Sequence, residues 1–187
     1  MWAGTLLMTI GIGLFIALHA NSSIGQIVGF GMVEGLGSGM LFQPPLVALQ
    51  AMVSQADTAT ATATLGFIRN IATSLGVVLG GVVFQNGMDF RRPILRTAGL
   101  NSTYIAAFSH GNAAASVELV KSINDHMQAK VVEDAYAWSL RNMWIMFTCL
   151  AGLGLVASTF IKHRDLSKEH TETRTGIDEM TKREGRS

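Results

Sequence analysis

Charged residues are scarce in this sequence, and most of those present lie in its second half. Only 14% of the 187 residues are charged, compared with about 25% in an ordinary soluble domain. Of the 14 basic and 13 acidic side chains, residues 1–85 contain only Glu34, Asp57 and Arg69. This asymmetry argues against a single soluble core and favours membrane-inserted segments followed by solvated ones.

Cysteine and catalytic motifs are also nearly absent. The single cysteine, Cys149, excludes an internal disulfide framework and a CxxC metal pair, and we expect it to be a small apolar packing residue. The net charge of +1 provides no basic surface that would favour nucleic acid. No paired-histidine metal motif, nucleophile elbow or intramembrane carboxylate pair is present. We therefore predict no enzyme activity, no metal site and no cofactor.

Four apolar runs are long enough to cross a bilayer. A hydrocarbon core of about 30 Å requires about 20 helical residues. The predicted fold class is therefore an all-α integral membrane protein with four transmembrane helices, with the lipid bilayer as its surroundings. The predicted helices occupy residues 1–19, 24–53, 59–85 and 138–161. Trp138 and Trp144, near the start of the last one, are typical of an interfacial aromatic belt.

Residues 86–137 and 162–187 are predicted to lie outside the membrane. The first is expected to be an extracytoplasmic loop that contains an amphipathic helix over residues 112–137, either against the membrane and the helices or free in solvent. The apolar stripe of that helix would be Val117, Val120, Ile123, Met127 and Val131. The second is polar enough to be a disordered cytoplasmic tail.

The second apolar run combines a proline pair with regularly spaced glycines. A helix over residues 24–53 would measure about 45 Å, so it must tilt or break. Pro44 and Pro45 lack backbone N–H groups, which predicts a helix break there, and Gln43 and Gln50 could satisfy the freed carbonyls. Small residues four apart favour close helix packing. The glycines predicted to pack in this way are Gly31, Gly35, Gly39, Gly76 and Gly80.

Two charges fall inside apolar runs. A charge at mid-membrane costs about 2.5–3.5 kcal/mol on insertion scales and usually faces a cavity or a partner. Glu34, with Gln43 and Gln50, is therefore a candidate for a proton or substrate pathway, the alternative being a structural hydrogen bond to a neighbouring helix. A pair between Glu34 and Arg69 is not expected, since their depths differ by roughly 15 Å. Arg69, with Asn70, is expected to have a gating or structural role and to bind helix-end carbonyls, Gln43 or Gln50.

The orientation rests mainly on one motif. Four spans place both termini on one side, and the Lys and Arg distribution does not decide which side that is. Asn101 opens an Asn-Ser-Thr triplet in the long loop, which makes it a candidate glycosylation site and favours cytoplasmic termini. The plasma membrane is the expected location.

Two blocks carry a family resemblance. GFGMVEGLGSGMLFQPPLVALQ, followed by ATATATLGFIRNIATSLGVVLGGVVFQN, resembles the major facilitator superfamily, and within it the fungal fourteen-span branch of drug:proton antiporters. The long loop before a last span and the polar tail also fit. The resemblance implies the last four spans of an efflux transporter that exports drugs, toxins or secondary metabolites by alternating access.

Length limits what this chain can do by itself. In the family that it resembles, a small-molecule substrate binds near the midplane between two halves, and four helices cannot supply both. We therefore expect a C-terminal fragment that is not active alone. The alternative is a stand-alone four-helix scaffold or partner subunit without transport activity, which could form an oligomer through its helices.

Overall fold

The structure is a computed structural model, and it describes residues 2–109 and 111–160. All regular secondary structure in these residues is helical. The four longer helices are α1 (Trp2–Leu14), α2 (Ile24–Phe42), α4 (Thr58–Thr97) and α6 (His126–Thr159). The shorter elements are α3 (Pro44–Gln50), α5 (Ser102–Ala107) and 3₁₀ helices at Phe15–Ala17 and Ala113–Ser122. The tail predicted at residues 162–187 lies outside the described residues.

The long helices pack as a row. α1 lies between α2 and α6, and α6 in turn packs against α4, which also contacts α3. The backbones of α1 and α2 are in close contact at Gly37. A Cβ built on this glycine would lie only 2.6 Å from the Cα of Met8. Two helix backbones can approach this closely only where one of them has no side chain at the contact.

Two of the helices, α4 and α6, are long and apolar enough to cross a membrane, and Trp2–Ala17 is a shorter apolar helix. Large hydrophobic side chains remain exposed along the helices, among them Met32, Leu36, Val77, Val78 and Leu153. Cys149 is exposed too and does not pack inside the described chain. So much exposed apolar surface requires a lipid or protein environment.

The chain is interrupted at the proline pair. A capping box between Ser23 and Gln26 starts α2, which ends at Phe42, and α3 starts at Pro44. Proline is well tolerated at the start of a helix because its missing N–H would have no partner there. The structure therefore places the interruption where the sequence predicted it.

Helix α4 starts at its expected position but extends much further than predicted. Asp57 occupies the N-cap position, although its side chain accepts from Ser54 Oγ at 2.7 Å and not from the helix backbone. The helix was expected to end at residue 85, but it continues through Pro93 to Thr97. The charges beyond residue 85 suggested a loop. The buried residues Phe84, Met88 and Leu95 keep helical spacing, and their packing extends the helix.

The prediction of one continuous amphipathic helix over residues 112–137 is wrong. Residues Ala113–Ser122 form a 3₁₀ helix, Ile123 is extended, and α6 begins at His126, with Asp125 accepting from Met127 N at 2.9 Å. Helix α6 then continues without a break past residue 138, the predicted border between loop and span. Of the predicted stripe, Val120, Ile123 and Val131 pack against the core, whereas Val117 and Met127 are exposed.

Residues 84–109 and 111–136 form a folded unit, which we call the cap. It contains a hydrophobic core made of Phe84, Met88, Leu95, Leu100, Ile105, Phe108, Ala113, Val132 and Ala135. The hydroxyl of Tyr136 donates to the carbonyl of Ala113 at 2.6 Å and joins α6 to the 3₁₀ helix. Burial raises the pKa of Tyr136 to about 12. The predicted loop is thus a packed subdomain at the end of α4 and the beginning of α6.

Candidate functional site

Glu34 lies at the contact between α1 and α2. A Cβ added to Gly11 would lie 2.5 Å from the Cα of Glu34, so the missing side chain of Gly11 allows α2 to approach α1 at this residue. Glu34 is half-buried. Its side chain forms no hydrogen bond or ion pair with any other residue that the structure describes. A lone carboxylate therefore sits at one of the two closest contacts between α1 and α2, the other being that of Gly37 with Met8.

A cavity of about 570 Å³ opens beside Glu34, between α1, α2 and α6. Its volume falls in the range of about 300–1,000 Å³ that is typical of small-molecule sites. Thr5 and Glu34 contribute oxygen atoms, and the remaining lining is apolar or aromatic, including Phe15, Trp144 and Phe147. One ionisable group in an apolar cavity suits a molecule with a large apolar body.

Aromatic rings form one end of this cavity. Phe15 stacks on Trp144 with ring centroids 4.6 Å apart, and Phe30 meets Phe15 edge-on at 6.3 Å. The structure places Trp144, which was predicted to belong to an interfacial belt, against the 3₁₀ helix at Phe15–Ala17 and in the cavity wall. The sequence could not reveal this contact, since it depends on how α1 and α6 pack.

Arg69 holds the end of α2. Its Nη2 donates to the carbonyl of Phe42 at 3.3 Å, and its guanidinium lies 4.3 Å from the centre of the Phe42 ring. Phe42 is the last residue of α2, where a helix carries partial negative charge that favours a cation. The expected contact with a helix-end carbonyl is therefore present, and Arg69 forms no pair with Glu34.

The other predicted polar residues lie apart from Glu34. Gln43 follows Glu34 by about 14 Å along the helix axis, and neither Gln43 nor Gln50 lines the Glu34 cavity. Gln50 Nε2 donates to Thr62 Oγ1 at 3.4 Å and so links α3 to α4. Asn70 accepts a hydrogen bond from Ser74 through its backbone carbonyl at 3.0 Å. The structure thus separates the Glu34 cavity from a second set of polar contacts around α3. These are made by Arg69 with Phe42 and by Gln50 with Thr62, and we call them the Arg69 cluster.

The close helix contacts use mostly different glycines from those predicted. Nothing lies within 4 Å of a Cβ added to Gly31, Gly35, Gly39 or Gly76. Of the predicted set, Gly80 alone makes a tight contact, 2.9 Å from the ring of Phe147. The other tight contacts involve Gly4, Gly11, Gly37 and Gly87. Gly4 and Gly11, like Gly80 and Gly87, are seven residues apart, which is about two helical turns, and this spacing was the signal that sequence reasoning missed.

Asn101, the candidate glycosylation site, caps α5. Its Oδ1 accepts from Thr103 N at 3.3 Å and from Ser102 Oγ at 3.2 Å. The residue is exposed in the cap. Its position leaves the side chain accessible, and its glycosylation remains a prediction.

Helices with exposed apolar side chains, two of them long enough to cross a bilayer, are typical of an integral membrane protein. Comparison with known proteins agrees. The chain is 38% identical over 177 residues to the MFS-type transporter ppz2 of Metarhizium majus and 35% identical over 184 residues to the efflux pump dotC of Dothistroma septosporum. These alignments cover 95% and 98% of the chain. The chain belongs to the major facilitator superfamily.

The chain spans about 30% of the length of these relatives, since the alignments cover 30% of ppz2 and 31% of dotC. An MFS-type transporter of Aspergillus terreus is matched in the same way, at 35% identity over 32% of its length. No family model and no solved structure matches the chain. The relatives are named as transporters and efflux pumps, and the chain is accordingly not an enzyme.

Proposed function

We propose that this chain is the C-terminal membrane part of a proton-coupled exporter of the fungal fourteen-span branch. In this proposal it supplies the last four spans, has both termini in the cytoplasm of a plasma-membrane protein, and contributes to export of drugs, toxins or secondary metabolites. The name of one relative, an efflux pump, supports export. The covered fraction of the relatives, about 30%, supports a part of a longer transporter.

The Glu34 cavity is the observation that carries this proposal. An unpartnered carboxylate in a largely apolar cavity can take up a proton when the cavity faces one side and release it when the cavity faces the other. The aromatic wall formed by Phe15 and Trp144 would contact an apolar substrate. Alternating access also requires a second half of the protein, which a chain of this length does not contain.

The Arg69 cluster supports a gating role in the same cycle. The side chain of Arg69 joins α4 to the end of α2 through a hydrogen bond to Phe42. Helix α3 follows directly after the break at the proline pair. Movement of α4 relative to the end of α2 would require this hydrogen bond to open. A short helix next to a proline break is a suitable hinge, because hinges are a few residues at element ends.

The decisive experiment measures export by a protein of the relatives' full length that contains this chain. Proteoliposomes with an imposed pH gradient would be loaded with a lipophilic dye, and wild type would be compared with Glu34→Gln and Glu34→Asp. We expect Glu34→Gln to abolish gradient-driven export and Glu34→Asp to retain part of it. Glu118→Gln, which removes an exposed carboxylate from the cap, is the matched control. Unchanged export by Glu34→Gln would remove Glu34 from the mechanism.

A second candidate function is a scaffold or partner subunit without transport activity. The open space beside Gly31, Gly35 and Gly39 favours it, because a stripe of small residues allows a further helix to pack closely. This function predicts a monodisperse oligomer of the isolated chain in detergent that Gly35→Leu dissociates. Aggregation of the isolated chain would count against it.

A further inference from the structure

Two arginines in the cap contain buried nitrogen atoms without partners. The Nε atoms of Arg91 and Arg92 are inaccessible to solvent and have no hydrogen-bond partner. Both side chains are half-buried, and neither forms an ion pair with a residue in the described ranges. Buried charged donors are nearly always hydrogen-bonded in proteins. No carboxylate of the described residues neutralises either guanidinium, so the Nη groups can bind an anion from outside the chain.

Aromatic rings surround this position. The guanidinium of Arg91 lies 4.4 Å from the centre of the Trp138 ring, and the ring of Phe90 stacks on Trp138 at 5.7 Å with an interplanar angle of 15°. Phe90 is itself 74% exposed. An exposed aromatic ring beside guanidinium groups can contact an apolar chain whose polar end the guanidinium groups bind.

The position along α6 coincides with a membrane boundary. From Trp138 to Thr159 the helix rises about 32 Å, close to the thickness of a hydrocarbon core of about 30 Å. At the other end, Trp2 Nε1 donates to the carbonyl of Ser158 at 3.0 Å. Tryptophans are enriched at both interfaces of a membrane. Trp138, and Arg91 with it, therefore lies at the level of lipid headgroups.

We propose that Arg91, Arg92 and Trp138 bind the phosphate of an anionic phospholipid at this boundary. Guanidinium groups match phosphate oxygens in geometry and charge, and the two arginines offer their Nη groups as donors to one headgroup. Two carboxylates lie nearby. Asp89 has an interaction of its own. Asp134, one turn before Trp138, is exposed and forms no ion pair with either arginine.

A lipid fits this site better than free phosphate. Free phosphate would use the two guanidinium groups and leave Phe90 exposed, whereas a lipid would also cover that ring with its glycerol and acyl chains. The proposal concerns lipid binding by the cap and does not depend on transport. It therefore holds or fails separately from the role of Glu34.

The test is native mass spectrometry of the whole chain, purified in detergent, with equimolar phosphatidylglycerol and phosphatidylcholine. We expect Arg91→Gln combined with Arg92→Gln to lower the affinity for phosphatidylglycerol about tenfold, and each single variant to lower it about threefold. Arg91→Lys with Arg92→Lys should give an intermediate loss, because lysine keeps the charge but lacks the planar fork. The binding of phosphatidylcholine reports whether each variant is folded.

Arg96→Gln is the matched control, because it removes an exposed positive charge one turn further along α4. It should change the affinity by less than about twofold. An equal loss in Arg96→Gln, or a loss below about threefold in the double variant, would overturn the proposal. Displacement of phosphatidylglycerol by millimolar inorganic phosphate would also overturn it, since the site would then be one for free phosphate.

Discussion

Gly11 of α1 lies directly against the backbone of Glu34 in α2. The missing side chain at residue 11 brings the two helices together at the one acidic residue in the first 50 positions. Glu34 thereby lines the cavity between α1, α2 and α6, and its side chain enters no hydrogen bond with another described residue. A small residue on one helix thus determines where the carboxylate of another helix lies.

Gly11→Ala should destabilise the chain and displace Glu34. The new methyl group would overlap the α2 backbone, which cannot move aside as a side-chain end can. Overpacking of this kind costs about 1–3 kcal/mol. The free energy of unfolding in detergent, followed by tryptophan fluorescence, measures the effect. Gly13→Ala is the control, since its Cβ would meet Thr148 at an ordinary 3.7 Å; equal losses in the two variants would contradict the α1–α2 contact.

Gly37→Ala and Gly35→Ala should have different effects on stability, although the two residues are only two positions apart on α2. A Cβ at residue 37 would overlap the backbone of Met8, whereas a Cβ at residue 35 meets nothing within 4 Å. We expect Gly37→Ala to lower the melting temperature. Gly35→Ala should leave it unchanged or raise it, since alanine favours a helix by up to about 1 kcal/mol over glycine. A larger loss in Gly35→Ala would show that another helix covers that face.

Arg69→Gln should loosen α3. The change removes the positive charge and the cation–π contact with Phe42, and a hydrogen bond of this kind contributes about 1 kcal/mol. Hydrogen exchange at the amides of residues 46–50, which follow the two prolines in α3, should become faster by about fivefold. Asn70→Ala is the control, because the hydrogen bond made by Asn70 uses its backbone carbonyl. Unchanged exchange in Arg69→Gln would argue against a hinge held by this side chain.

Tyr136 predicts an alkaline limit for the cap. Its pKa is about 12 in the folded chain, against an ordinary value of 10.0, because burial disfavours the charged phenolate. The folded cap then binds this proton more tightly than the unfolded chain does. The stability contributed is present in full below pH 10 and is lost as the pH rises from 10 to about 12.

Tyr136→Phe should remove this pH dependence and lower the stability of the cap at neutral pH by about 1 kcal/mol, because the 2.6 Å hydrogen bond to Ala113 is lost. Thermal unfolding followed by near-ultraviolet circular dichroism between pH 8 and about pH 12 measures both effects. Tyr104→Phe is the control, since its hydroxyl lies in an exposed contact with Ser122. Identical alkaline curves for wild type and Tyr136→Phe would contradict the assignment.

The contacts within the chain show which kinds of inference the sequence supports. Pro44 and Pro45 interrupt the helix where expected because a missing N–H is a local property of the residue. The resemblance of the Gly- and Ala-Thr-rich blocks to major facilitator transporters was recognisable for the same reason, since a motif is read directly from the sequence. Within the described residues, the close helix contacts mostly involve other glycines than those predicted. Spacing shows which glycines share a helix face but not which face meets a neighbour, and Gly35 and Gly37 differ only in that respect.

The sequence by itself determined the helical class, the apolar runs, the break after α2 and the family. These follow from residue composition and from backbone chemistry that each residue carries with it. Only the tertiary structure decided that residues 84–109 and 111–136 form a packed cap, that Trp144 lines the Glu34 cavity, and that Arg69 holds the carbonyl of Phe42. Each of these depends on segments far apart in the chain, and a packing energy shared between distant residues leaves no periodic signal in either of them.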